Sequence, residues 1–188
     1  YGPLRDFVGA VAEAGCETVI VHARKAWLQG LSPKENREIP PLRPDLALRL
    51  KTDFPELTVI YNGGVGDLDA AAETLADGFD GVMVGRAAYQ DPFATLAEAD
   101  QRLFDAPAAP ADRWTTADAM ADYADRAMAQ GAALWSVARH MLGLFNGLPG
   151  ARAWRRRLTE GAREPGASGA LIREAAALVK PRAERLAG

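Results

Sequence analysis

The chain has 188 residues, 48% of them hydrophobic, and a formal net charge of −3, which is enough apolar material for one domain or one domain and a smaller second one. Its single cysteine, Cys16, excludes a disulfide framework and a zinc-ligand pattern and fits a reducing, cytoplasmic setting. No apolar run reaches membrane-spanning length and the start does not read as a signal peptide, which argues against a membrane role; the opening Tyr1-Gly2-Pro3, without a methionine, reads as that of a fragment.

The first half alternates helix and strand. Residues 4–14 place Phe7, Val8, Val11 and Ala14 at helical spacing, and Gly15 ends the helix. Residues 18–22 (TVIVH) form a short β-branched run and are expected to be a strand. A helix is expected over 44–51, a second strand over 57–61 (LTVIY), and a helix over 67–76 with Asp67 capping its start. A third strand, 81–84 (GVMV), ends at Gly85-Arg86. Continuous apolar strands are the pattern of parallel sheets buried on both faces. The βα repeat implies parallel strands with right-handed crossovers. Three such strands would leave open edges and half a core.

The composition then changes. Residues 105–112 (DAPAAPAD) read as a proline-alanine linker. Beyond it, helices are expected over 116–130, 132–145, 151–162 and 170–179, with a break at Gly147-Leu148-Pro149-Gly150. The second of these carries an apolar stripe of Leu134, Val137, Met141, Leu144 and Phe145. Short connections point to a small antiparallel bundle. The expected organisation is therefore an α/β segment over 1–104, a linker over 105–112 and a helical segment over 113–188.

Charge is also divided. From residue 66 to 126 there are 13 acidic and 4 basic residues, a balance of −9; from 139 to 188 there are 10 basic and 4 acidic, a balance of +6. So basic a segment is either a polyanion surface or a solvated helical face. Arg152, Arg155, Arg156 and Arg157, with Trp154, put cations beside an aromatic on one helix. The loop over 23–41 is long for a βα connection and carries Arg24, Lys25, Trp27, Lys34 and Arg37. Cations beside an aromatic at the mouth of a site suit a nucleic-acid substrate.

Two glycine-bearing turns, Asn62-Gly63-Gly64 and Gly85-Arg86, follow successive strands. They are either ordinary βα loops or a cradle for an anion, because glycine lets backbone N–H groups approach a ligand and Arg86 adds a charge-assisted contact. In parallel βα barrels such turns are a common phosphate site. His22, at the end of the first strand, is either a ligand contact or a structural histidine. Cys16 precedes that strand, at the opposite end, and reads as a buried structural thiol.

These residues resemble a known family. The run HARKAWLQGLSPKENREIPPL, from His22 to Leu42, is similar to the signature loop of the A-type tRNA-dihydrouridine synthases. YNGGV, GVMVGRAAYQDP and RHMLGLFNGLPGARAWRRRL fall in that family's order, and the resemblance runs from residue 1 to about residue 179. It implies the last three βα units of a TIM (β/α)8 barrel that binds FMN, followed by a helical tRNA-binding domain. It also implies reduction of a D-loop uridine at position 20 or 20a of tRNA, with NADPH reloading the flavin. On the resemblance, His22, Asn62, Gly63, Gly64, Gly85 and Arg86 match cofactor contacts. Lys34, Arg37, Arg152 and Arg155 match tRNA contacts. The family's catalytic cysteine lies upstream of the residues matched here, so no catalytic residue is expected in this chain and the chain alone should not catalyse the reaction. Alternatives are another FMN barrel, such as a dihydroorotate dehydrogenase-like protein, a non-catalytic tRNA-binding half, and a tail that serves only for dimerisation. No protein partner is evident.

Overall fold

A computed structural model of the chain describes residues 1–27, 29–107 and 112–180. The chain forms two compact units, Tyr1–Ala87 and the residues from Ala88 onward. The expected linker over 105–112 falls inside the second unit. Residues 108–111 of it, and residues 181–188 of the basic tail, lie outside those described.

The first unit runs α1 (Gly2–Glu13), β1 (Thr18–His22), a one-turn 3-10 helix (Glu35–Arg37), α2 (Pro44–Asp53), β2 (Thr58–Asn62), α3 (Leu68–Ala76) and β3 (Gly81–Met83). The strands form one parallel sheet in the order β1-β2-β3. α1 closes as its sequence predicts. Gly15 takes φ +96°, and the N–H groups of Gly15 and Cys16 return to the carbonyls of Ala12 and Val11, which satisfies the last turn's free acceptors. Asp67 caps α3 by accepting from the Ala70 N–H at 2.8 Å.

The register sorts the side chains onto two faces. Val19 pairs with Val59, and Val21 with Tyr61, which pairs in turn with Val82. This face carries the core, with Val21, Val59 and Tyr61 packed among Val8, Ala47, Leu50, Leu57 and Phe79. The other face holds Thr18 and Thr58, then Ile20, Ile60 and Gly81, then His22, Asn62 and Met83, in three rows across the strands. That face is largely open: Ile20 is 56% exposed and Met83 46%. The expectation that these strands are buried on both faces is therefore not met by this chain. A run such as TVIVH states that both faces are apolar, not that both are covered by neighbours within the same polypeptide.

Outside the sheet, Asp80 ties three elements together. Its carboxylate takes both Oδ atoms to Lys51 Nζ, at 2.6 and 2.7 Å, and accepts from the Val59 N–H at 2.7 Å. Those contacts hold its carboxyl below the usual carboxylate range, first through the Lys51 ammonium and then through the backbone N–H.

The helix α4 (Arg86–Gln90) runs across the division between the units. The second unit continues with α5 (Pro92–Leu96), α6 (Ala99–Phe104), α7 (Arg113–Ala129), α8 (Leu134–Ala138), α9 (Ala151–Gly161) and α10 (Ala170–Ala177). Helices α4 to α6 have no counterpart in the sequence expectations. The helix expected over 132–145 is shorter: only Leu134–Ala138 is α-helical. Beyond it the chain tightens, with the N–H groups of Met141, Leu144 and Asn146 bonding three residues back to Ala138, Met141 and Gly143. Gly143 in this stretch packs closely, since a Cβ there would clash with the Gln90 carbonyl oxygen. The apolar stripe survives the change of winding, and Leu134, Val137, Met141, Leu144 and Phe145 are all buried.

At the centre of this core, Trp154 is fully buried. Its ring meets Phe145 edge-on, with centroids 4.8 Å apart. Its indole N–H donates to the Met141 carbonyl at 3.1 Å. The sequence reading that set Trp154 beside the arginines as a nucleic-acid contact is corrected here. On α9, Ala151, Trp154 and Leu158 occupy the inner face at helical spacing, whereas Arg152, Arg155 and Arg156 are exposed. No helix among the described residues is long and apolar enough to cross a membrane, and no cluster of metal-binding side chains occurs among them.

Candidate functional site

Parallel strands end on the same side, so the sheet brings its three strand-end segments together. His22 and Asn62 are register partners in the last row of β1 and β2, and Met83 ends β3 beside Asn62. His22 Nδ1 lies 2.7 Å from Asn62 Oδ1. A carbonyl oxygen only accepts, so Nδ1 donates, and Nε2 is left to a ligand. The pair shares the open face with Ile20 and Ile60.

The turn after β2 requires glycine. Gly63 has φ +146° and Gly64 φ +73°, conformations that side-chain-bearing residues rarely adopt. Space is equally restrictive, because a Cβ on either would lie 2.7 to 2.8 Å from the Leu42 side chain. The turn after β3 is different: a Cβ on Gly85 would meet nothing within 4 Å. The Gly63-Gly64 pair therefore allows close packing of the long loop on the turn, and the single Gly85 leaves open ground before Arg86. Only the second, open turn leaves room for an anion to approach main-chain N–H groups; at the first, the space beside the glycines is taken by Leu42.

The long loop is ordered by its own polar side chains. Its neck closes by an antiparallel bridge between Arg24 and Leu42. The Arg24 guanidinium donates to the carbonyl oxygens of Glu38 and Pro40. Further out, Ser32 and Glu35 form a reciprocal capping box: the Ser32 N–H donates to Glu35 Oε2 at 2.8 Å and the Glu35 N–H to Ser32 Oγ at 3.3 Å. The Ser32 contacts hold the Glu35 carboxyl below its ordinary range. Asn36 clamps Trp27, accepting from its N–H at 2.7 Å and donating to its carbonyl at 2.9 Å. The product is a single 3-10 turn with Lys34 at its N-cap and Arg37 at its end, both exposed. Ser32-Pro33-Lys34-Glu35 carries the capping-box signature, the signal in the sequence for this turn.

Arg86 is engaged with the same loop. Its Nη1 donates to Glu38 Oε1 at 3.0 Å and its Nη2 to the Arg37 carbonyl at 3.4 Å. Glu38 was not singled out from the sequence, since its partner lies 48 positions away. Cys16 is half-buried rather than buried and donates to the Thr18 carbonyl. It sits at the start of β1, away from His22. An apolar groove of about 810 Å³ runs along α1 and the free edge of β1, lined in part by Phe7, Val11, Ile20 and His22.

In the second unit, Arg152 and Arg155 lie three apart on the exposed face of α9. Arg155 Nη1 donates to Asn146 Oδ1 at 2.9 Å, while Arg157 pairs with Glu174 at 2.9 Å.

Comparison with known proteins gives the family. The model of the dihydrouridine synthase (Dus) family matches residues 3–180. The chain is 50% identical over 182 residues to a tRNA-dihydrouridine(20/20a) synthase of Yersinia pestis, covering 96% of this chain and 52% of that protein. It is 52% identical over 180 residues to the Salmonella typhimurium protein of the same name, covering 95% and 54%. It is 49% identical over 180 residues to that of Escherichia coli K12, covering 95% and 52%. The chain spans about half the length of the curated relatives it matches. With its parallel βα sheet, its glycine turns and this match over nearly all of its length, the chain belongs to the dihydrouridine synthase family.

Proposed function

We propose that this chain is the cofactor-phosphate and RNA-gripping part of a tRNA-dihydrouridine synthase of the 20/20a type, acting in the cytoplasm. The observation that carries the reading is the row of strand ends, where His22, Asn62, the Gly63-Gly64 turn and the Gly85-Arg86 turn lie on three adjacent parallel strands and their turns. In this reading the three strands belong to a (β/α)8 barrel, residues 1–104 contribute to it, and residues 113–188 form the tRNA-binding tail.

The residues fit a flavin mononucleotide. Gly85 leaves a phosphate room to reach main-chain N–H groups, the Gly63-Gly64 turn shapes the neighbouring strand end, and Arg86 supplies an exposed cation that would exchange Glu38 for the phosphate. His22, held by Asn62, offers Nε2 to the flavin's polar edge. A reduced FMN bound there would supply a hydride to one carbon of the uracil C5–C6 bond, with NADPH as its source, and the other carbon would take its proton from a general acid that is not among this chain's proposed site residues. This chain's own residues bind and orient. Lys34 and Arg37 on the loop, and Arg152 and Arg155 on α9, contact tRNA phosphates, which fix position rather than read sequence. A base buried in a stacked RNA must be extruded to reach such a site, so grip on the backbone precedes chemistry.

The test is the dihydrouridine content of tRNA from cells lacking the gene that encodes this chain. Loss of dihydrouridine at positions 20 and 20a, restored by the gene, is the expected result. Unchanged content at both positions would refute the reading.

A further inference from the structure

The second unit carries a polar arrangement that the proposed RNA contacts do not include. Two relays start from consecutive residues of α4 and each ends on an exposed arginine. In the first, Tyr89 Oη lies 3.2 Å from His140 Nδ1, and Arg139 Nε donates to His140 Nε2 at 3.0 Å. In the second, Asn146 Nδ2 donates to the Gln90 carbonyl at 2.8 Å, and Arg155 Nη1 donates to Asn146 Oδ1 at 2.9 Å.

The first relay assigns its protons. A guanidinium only donates, so His140 Nε2 accepts and the imidazole proton sits on Nδ1. Nδ1 then donates to the Tyr89 oxygen, which leaves the Tyr89 hydroxyl proton for a partner outside the protein. The ring is turned toward solvent, 62% exposed, and meets His140 edge-on with centroids 5.8 Å apart. Arg139, His140 and Arg155 are exposed as well. The outward set is thus a hydroxyl donor and two guanidinium groups, and no carboxylate takes part in either relay. A donor-only set beside an exposed aromatic face selects an anionic, oxygen-rich ligand with a planar or sugar group attached.

We propose that Tyr89 and Arg139, positioned by His140, extend the Arg155 patch into a contact site for the sugar-phosphate backbone of RNA. Arg139 bonds a phosphate. Tyr89 gives its hydroxyl proton to a phosphate or ribose oxygen and its ring face to a neighbouring base or sugar. His140 touches no RNA; it holds both donors in place. The proposal rests on the tRNA reading above and enlarges it by three residues.

The experiment is a binding titration of the chain with a labelled tRNA transcript over a range of salt, with melting temperature as the control for folding. Arg139→Gln is expected to weaken binding about five- to tenfold and to flatten the log–log salt dependence by about one phosphate contact. Tyr89→Phe removes only a neutral donor and is expected to weaken binding about threefold with the salt slope unchanged. His140→Ala should weaken binding at unchanged melting temperature, and His140→Gln, which can still accept and donate, should recover most of the loss. If Tyr89→Phe and Arg139→Gln both bind within about twofold of the parent chain while the Arg152→Gln/Arg155→Gln pair is weakened, the inference is wrong and the tRNA reading stands. If the parent chain shows no salt-dependent tRNA binding, the tRNA reading fails and takes the inference with it. Competition by polyglutamate as effective as that by unlabelled tRNA would assign the patch to acidic proteins and also overturn it.

Discussion

Arg86 Nη1 donates to Glu38 Oε1 at 3.0 Å, so the residue proposed to hold the cofactor phosphate is also an anchor of the loop proposed to hold tRNA. The Arg37 carbonyl takes the second nitrogen. Both partners are about half exposed, and an exposed pair of this kind is worth about 0–1 kcal/mol. It can therefore exchange for a phosphate without loss of the fold.

Arg86→Gln should separate these roles. The variant is expected to keep its stability to within about 1 kcal/mol, because only an exposed pair is removed. FMN affinity should fall about tenfold or more, the scale of one charge-assisted contact. Fluorescence titration of FMN together with a urea melt reads both quantities.

Gly64→Val tests the turn itself. Its φ of +73° opposes a side chain, and so does the Leu42 side chain, which would lie 2.8 Å from an added Cβ. A destabilisation of about 1–3 kcal/mol is expected by denaturant melting. Gly85→Ala, where there is room within 4 Å, should leave stability within about 1 kcal/mol and act only on anion binding.

The arginines and the tryptophan of α9 should behave in opposite ways. Trp154→Ala removes a fully buried ring and is expected to cost about 3–5 kcal/mol, read in a thermal melt. Arg152→Gln with Arg155→Gln should leave the melt almost unchanged but lower the salt slope of tRNA binding by about two contacts.

Asp80 and Asp112 give the first unit and the second an acid limit. Asp80 is depressed by Lys51 and then by the Val59 N–H; Asp112, the N-cap of α7, is depressed by the Thr115 N–H. A depressed folded value means that the unfolded chain takes up the proton first. The stabilisation is therefore complete above the unfolded carboxylate value of about 4 and is lost as pH falls through the lower folded values. Urea midpoints measured from pH 6 down to pH 3 should fall, and Asp80→Asn, at a cost of about 1 kcal/mol near neutrality, should flatten that fall.

Much of the first unit was legible because its signals are local. TVIVH, Asp67 and Gly15 each state their own conformation, and the expected strands and helices agree with the observed ones to within a few residues at their ends. The second unit was less so. No periodicity marks the end of the helix at Ala138, and the close approach of Gly143 to the Gln90 carbonyl joins residues far apart in the chain. Trp154 was misplaced because charge was read before spacing; Ala151, Trp154 and Leu158 mark the inner face. In the candidate site, His22, the glycines and Arg86 were visible as residues at strand ends. Glu38, Tyr89 and His140 were not, because each acquires its role from a partner brought close only by folding.

The most direct test is a parallel titration of the chain with FMN and with riboflavin, which differ by the phosphate alone. If the glycine turns and Arg86 hold a phosphate, FMN binds with quenching of its fluorescence and riboflavin binds at least about tenfold more weakly, the scale of a charge-assisted phosphate contact. Equal affinity for the two, or no binding of FMN, would contradict the assignment of the glycine turns and Arg86 as a phosphate site.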